Sequence, residues 1–133
     1  GMTKSKKNYE KNMYYILDIH KKIINFIKKN DKKYEERRKI SDTIYANNII
    51  NYAYLSYINN NNKAIFKNIE EITSTNQFKE MSKNFQFKFL PQHLRFQLLL
   101  VKYNKINLLK IFFKLKAIAR KLKSKQYNNT KKD

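Results

Sequence analysis

One glycine and one proline stand in a chain of 133 residues, and this scarcity of backbone breakers constrains the fold more than any other feature. Tight hairpin turns lean on glycine, and strands are usually bounded by Gly- and Pro-rich punctuation. A chain with almost none of either reverses direction through the Asn-rich or charged loops that join helices. An all-α fold is therefore expected, a bundle of five or six helices ending in a basic amphipathic helix. The length suits one domain with a modest core, placed over residues 6–125, with 126–133 as a polar, disordered tail.

Periodicity locates the helices. Met13, Ile16, Leu17, His20, Ile23, Ile24 and Ile27 share one stripe of a first helix over 6–29, where Asp18 and Lys22 form a favourable i,i+4 pair. A second helix, 34–58, carries Ile44, Tyr45, Ile49, Ile50, Tyr52, Ala53, Leu55, Tyr57 and Ile58, too many apolar residues for one face. A helix apolar nearly all round is a central one, so 44–58 is expected to be the most buried element. Asn59–Asn62 reads as a loop, because Asn tolerates left-handed backbone and competes for backbone hydrogen bonds. A short helix over 63–72 follows. Ser74 and Gln77 then have capping-box spacing ahead of a fourth helix with Phe78 and Met81. Phe85, Phe87 and Phe89 alternate with Gln86 and Lys88 and read as an extended connector. Pro91 suits the first turn of a fifth helix over 91–103, and Asn104 marks a bend before a sixth over 105–124.

The charge is large and uneven. The formal net charge is +20, yet no Asp or Glu occurs between Glu80 and Asp133. Such an excess speaks about partners, and phosphate-bearing ones are the natural class: membrane headgroups, nucleic acid, or nucleotide and lipid-linked pyrophosphates. In the sixth helix, Leu108, Ile111, Phe112, Leu115, Ile118, Ala119 and Leu122 follow helical spacing and span an arc of roughly 120°. Lys105, Lys116 and Lys123 border that arc on one side, and Lys110, Lys114, Lys121 and Lys125 lie towards the other. With Arg120, these lysines are the candidate residues for binding an anionic surface. The arc can be buried in lipid while the ammonium groups reach phosphates, or it can be buried inside the bundle.

Catalytic chemistry finds little to build on. His20 and His93 are the two histidines, and cysteine is absent, so thiolate and disulfide chemistry are excluded. His20 sits on the apolar stripe of its helix, where packing is a better explanation than metal ligation. No HExxH, CxxC, glycine-rich phosphate loop or GxSxG occurs. Glu35–Glu36 and Glu70–Glu71 are sequence neighbours about 100° apart on a helix, which cannot share an acid–base task. No catalytic, metal-binding or cofactor-binding residue is assigned. The aromatic residues fall mostly at core spacing rather than on a base-stacking platform. The beginning of the chain lacks the apolar segment of a signal peptide, and no run approaches the roughly 18 apolar residues of a membrane span, so a cytoplasmic location is expected, with peripheral attachment to the inner face of the membrane.

The stretch LPQHLRFQLLLVKYNKINLLKIFFKLKAIARKLK, residues 90–123, resembles the C-terminal end of bacterial family 2 glycosyltransferases, in which a leucine-rich helix, a Lys-Tyr bend and a last helix alternating Lys or Arg with Leu, Ile and Phe follow one another. HKKIINFIKKN and ERRKISDTIYANNIINYAYL are similar to the helical part after the catalytic domain, so the resemblance covers about residues 10–125. It implies a role in glycan or cell-surface polysaccharide synthesis at the cytoplasmic membrane face. The family's nucleotide-sugar domain and DxD motif do not occur in this sequence. Gln92, Arg95 and Phe96 are similar to the QxxRW signature of processive members, with Phe in place of Trp. The expected function is thus a non-catalytic accessory region that docks on anionic membrane or on a glycosyltransferase catalytic domain. A basic nucleic-acid-binding module and a plain protein-interaction bundle, self-associating or not, are the alternatives.

Overall fold

Residues 8–131 are described in the computed structural model, with side chains up to Gln126. They form six α-helices and one 3-10 turn, with no strand among the described residues. Helix α1 (Tyr9–Asn30) starts where the Asn8 side chain accepts the Lys11 N–H. It ends at Asp31, whose carboxylate accepts the Lys33 N–H at 2.8 Å and pairs with Arg37 at 2.5 Å. This tight polar turn sends the chain back antiparallel along α1 as α2 (Tyr34–Asn59).

α2 is the hub, as its apolar composition requires, and it packs against each of the other five helices. Ala46, Ile49, Ile50, Ala53 and Tyr54 are buried along it, while Ile44 faces outward. The loop after α2 turns through Asn61 at φ 49°, a left-handed conformation that Asn tolerates better than most residues. α3 (Ile65–Thr73) and α4 (Asn76–Lys83) then lay Ile65, Phe66, Ile69, Ile72, Phe78 and Met81 into the core.

The cap of α4 differs from the sequence expectation by one residue. Thr75 is the N-cap, its hydroxyl accepting the Phe78 N–H, while Ser74 donates to the Glu70 carbonyl at the end of α3. Gln77 is unavailable for a capping box because its amide reaches across to α1. Thr75→Ala should therefore cost about 1 kcal/mol, whereas Ser74→Ala should stay within about 0.5 kcal/mol, as measured by denaturant unfolding.

The three phenylalanines do not form an extended connector throughout. Phe85 is buried against Phe78, and the chain then tightens into a 3-10 turn at Phe87–Phe89 that leaves Phe89 exposed. Pro91 is the N-cap of α5 (Gln92–Lys102) rather than part of its first turn. Asn104, at φ 56°, makes the expected bend into α6 (Ile106–Lys131). α6 runs past the boundary expected near residue 124, so the backbone of 126–131 is helical where a disordered tail is expected; the rest of that tail, and residues 6 and 7 of the expected first helix, lie outside the described residues.

Candidate anionic-surface interface

A buried cluster of polar groups joins α1, α2 and α4, and it accounts for His20. His20 is 3 % exposed, and its Nε2 donates to Asp42 Oδ1 at 2.5 Å. Its Nδ1 accepts from the Gln77 amide at 2.9 Å, and the same nitrogen of Gln77 donates to the Leu17 carbonyl. Asp42 Oδ2 accepts from Asn84 at 2.8 Å and from Arg38 at 3.4 Å, and Arg38 also donates to the Tyr34 hydroxyl. The imidazole edge meets the Tyr45 ring. Both ring nitrogens are thus engaged by protein, and the cluster ties three helices together. A hollow of about 770 Å³ beside Asn60–Asn62 contains one carboxylate, Glu10, which already accepts from Ser56 and Asn62.

α6 holds the other concentration of chemistry. Ile106, Leu109 and Phe113 form the face that packs on the bundle, with Phe113 set among the rings of Tyr54, Tyr57 and Phe66 at 5.2–5.9 Å. Most of the arc read from the sequence points away from the bundle, although Phe112 packs against the core and Ile111, Ala119 and Leu122 edge hollows shared with it. Leu108, Ile111, Leu115, Ile118 and Leu122 are each between 50 and 60 % exposed. At 1.5 Å per residue this seam is roughly 21 Å long. Phe112 flanks it and meets exposed Phe96 of α5 edge-on at 5.2 Å, so the apolar surface continues onto α5. Two apolar faces coexist on α6 because they begin at different registers: 106, 109 and 113 against 108, 111 and 115. Scattered exposed leucines are ordinary, but these five follow one another along one face of a single helix.

The structure sorts the candidate cations. Lys105, Lys110, Lys114, Lys121, Lys123, Lys125 and Arg120 are exposed on α6 or at its start. Lys110 and Lys114 flank a hollow of about 330 Å³ on one side of the packed face, together with Lys63, Tyr57 and Phe66, and the Lys110 ammonium lies over the Phe66 ring. On the other side a cleft between α2 and α6 receives Lys116, Arg120 and Lys123. Lys116 is partly buried, with its ammonium 4.2 Å from the Tyr54 ring centroid. Burial, and then the neighbouring Arg120, hold its pKa below the usual lysine range. Burial also raises the Tyr54 hydroxyl, against the opposite pull of Arg120. Periodicity alone found these lysines, but it could not show that Lys116 turns inward.

Of the residues similar to the QxxRW signature, Gln92 and Arg95 are exposed, and Arg95 donates to the Leu90 carbonyl at 2.6 Å. His93 is exposed at the start of α5. Among the described residues, no group of three His, Asp or Glu side chains is placed to hold a metal ion, and no helix is long and apolar enough to cross a membrane. No family model matches the chain, and neither a curated protein nor a solved structure is similar to it.

Proposed function

We propose that this protein is a non-catalytic helical module that docks on anionic lipid surfaces through the outer seam of α6. The observation that carries the reading is the seam itself: five half-exposed aliphatic side chains in line, bordered by lysines with no carboxylate between Glu80 and Asp133. Long-range attraction brings such a helix to an anionic interface, and partial burial of the aliphatic row holds it there. The bundle lies behind α6, so the seam can lie flat on a membrane without unfolding anything. A second copy fits less well, because antiparallel pairing of seams would bring Lys114 and Lys121 of one chain against those of the other with no carboxylate between them.

The reading of the chain as an accessory region of a glycosyltransferase in polysaccharide synthesis rests on the resemblance over about residues 10–125 alone; lipid docking is compatible with it and does not depend on it. Co-sedimentation with vesicles containing phosphatidylglycerol tests the docking. Binding is expected to fall steeply with salt, and Lys105, Lys114, Lys121 and Lys125 changed together to Gln should weaken it by roughly fivefold per lysine with unchanged thermal unfolding. Salt-sensitive binding to single-stranded RNA with none to vesicles would contradict it.

A further inference from the structure

We infer that the cleft between α2 and α6 is a binding site for a phosphomonoester group, held by Lys116, Arg120 and Lys123. This deepens the docking proposal by giving the surface a preferred headgroup, and its three cations are not among the lysines changed in the docking test. The cleft measures about 630 Å³ and is bounded on the α2 side by Asn51, Tyr54 and Leu55. Three cations enter it, and among the described residues none of the ion pairs includes any of them.

Lys116 is the informative member. A surface lysine normally extends its ammonium into water, yet this one folds against Tyr54 and keeps company with Arg120. Both are cations; burial lowers the pKa of Lys116, and Arg120 adds to that lowering. An anion of more than one charge seated between them offsets the repulsion of the pair. A phosphodiester carries a single negative charge, whereas a phosphomonoester carries about 1.5 to 2 near neutral pH and offers three acceptor oxygens. Arg120 can engage two of those oxygens with its planar fork, while the two ammonium groups act as point charges.

The walls suit a ligand with an apolar portion. Ala119 and Leu122 border the cleft, and Leu122 also belongs to the exposed seam. A phosphoryl group seated on Lys116 and Arg120 would therefore have its substituent emerging beside the seam. The chemistry is shared by a lipid headgroup such as phosphatidate and by a soluble phosphomonoester.

Vesicles matched in total negative charge, one set containing phosphatidate and the other phosphatidylglycerol, separate the cleft from general attraction. Wild type should bind the phosphatidate set about tenfold more tightly, and Arg120→Gln should abolish the preference while reducing phosphatidylglycerol binding only as one lost charge does. Lys116→Met, which keeps the stem packed on Tyr54, should act likewise, with circular dichroism confirming the fold of both variants. Equal binding of wild type to both vesicle sets, without any shift of the Arg120 side-chain resonance on titration with inorganic phosphate, would overturn the cleft and leave the docking reading standing. A phosphate-induced shift of that resonance without vesicle binding would keep the cleft, assign it a soluble ligand, and overturn the docking reading instead.

Discussion

Asp42→Ala should destabilise the fold by about 3–5 kcal/mol, a large share of the stability of any domain this size. The carboxylate is fully buried and is the acceptor on which His20, Arg38 and Asn84 converge from different elements. Its removal leaves the buried imidazole N–H of His20 without its acceptor and takes the carboxylate away from the partly exposed Arg38, which costs more than the lost attraction itself. Thermal unfolding should drop by on the order of 15 °C. Asp18→Ala gives the contrast, since the Asp18–Lys22 pair lies in solvent and its loss should cost no more than about 0.5 kcal/mol. A change below about 1 kcal/mol on removing Asp42 would mean that the cluster does not hold α1, α2 and α4 together.

Phe113→Ala should cost about 3–5 kcal/mol, through the cavity left among Tyr54, Tyr57 and Phe66. The effect should be uneven along the chain. Phe113 is fully buried and sits where α6 meets both α2 and α3, so amide exchange should rise most in α6, while α1 and the first half of α2 stay protected. Leu115→Ala, two residues on, should stay within about 0.5 kcal/mol because Leu115 faces away from the bundle. Equal losses from both substitutions would place the seam inside the core rather than outside it.

The helical architecture was legible because it depends on local signals. Breaker scarcity set the class, Asn61 and Asn104 marked bends that need left-handed backbone, and the unpatterned apolar stretch of α2 announced a helix surrounded by neighbours. The details that escaped depend on partners distant in sequence. Ser74 and Gln77 have capping-box spacing, but Gln77 finds His20 and Leu17 on α1 instead, and Thr75 takes over the cap. His20 was recognisable as a packed histidine, although its partner Asp42 was not, since a lone aspartate in a helix usually faces water.

α6 shows the sharpest limit of periodicity. Its wheel carries two apolar rows, and the wider one, through Leu108 and Leu122, looks like the packing face. The bundle instead takes Ile106, Leu109 and Phe113, with Phe113 filling an aromatic pocket lined by Tyr54, Tyr57 and Phe66. No local pattern encodes that choice.

The most direct measurement uses the absence of tryptophan from the chain. Leu115→Trp places a single reporter at the middle of the exposed seam, where a larger side chain meets no packed neighbour. On addition of anionic vesicles its emission should move to the blue and be quenched by lipids brominated in the acyl chain, with both effects reversed by high salt. Binding of this variant with unchanged emission and no quenching would show that the seam stays in water and would contradict lipid docking through α6.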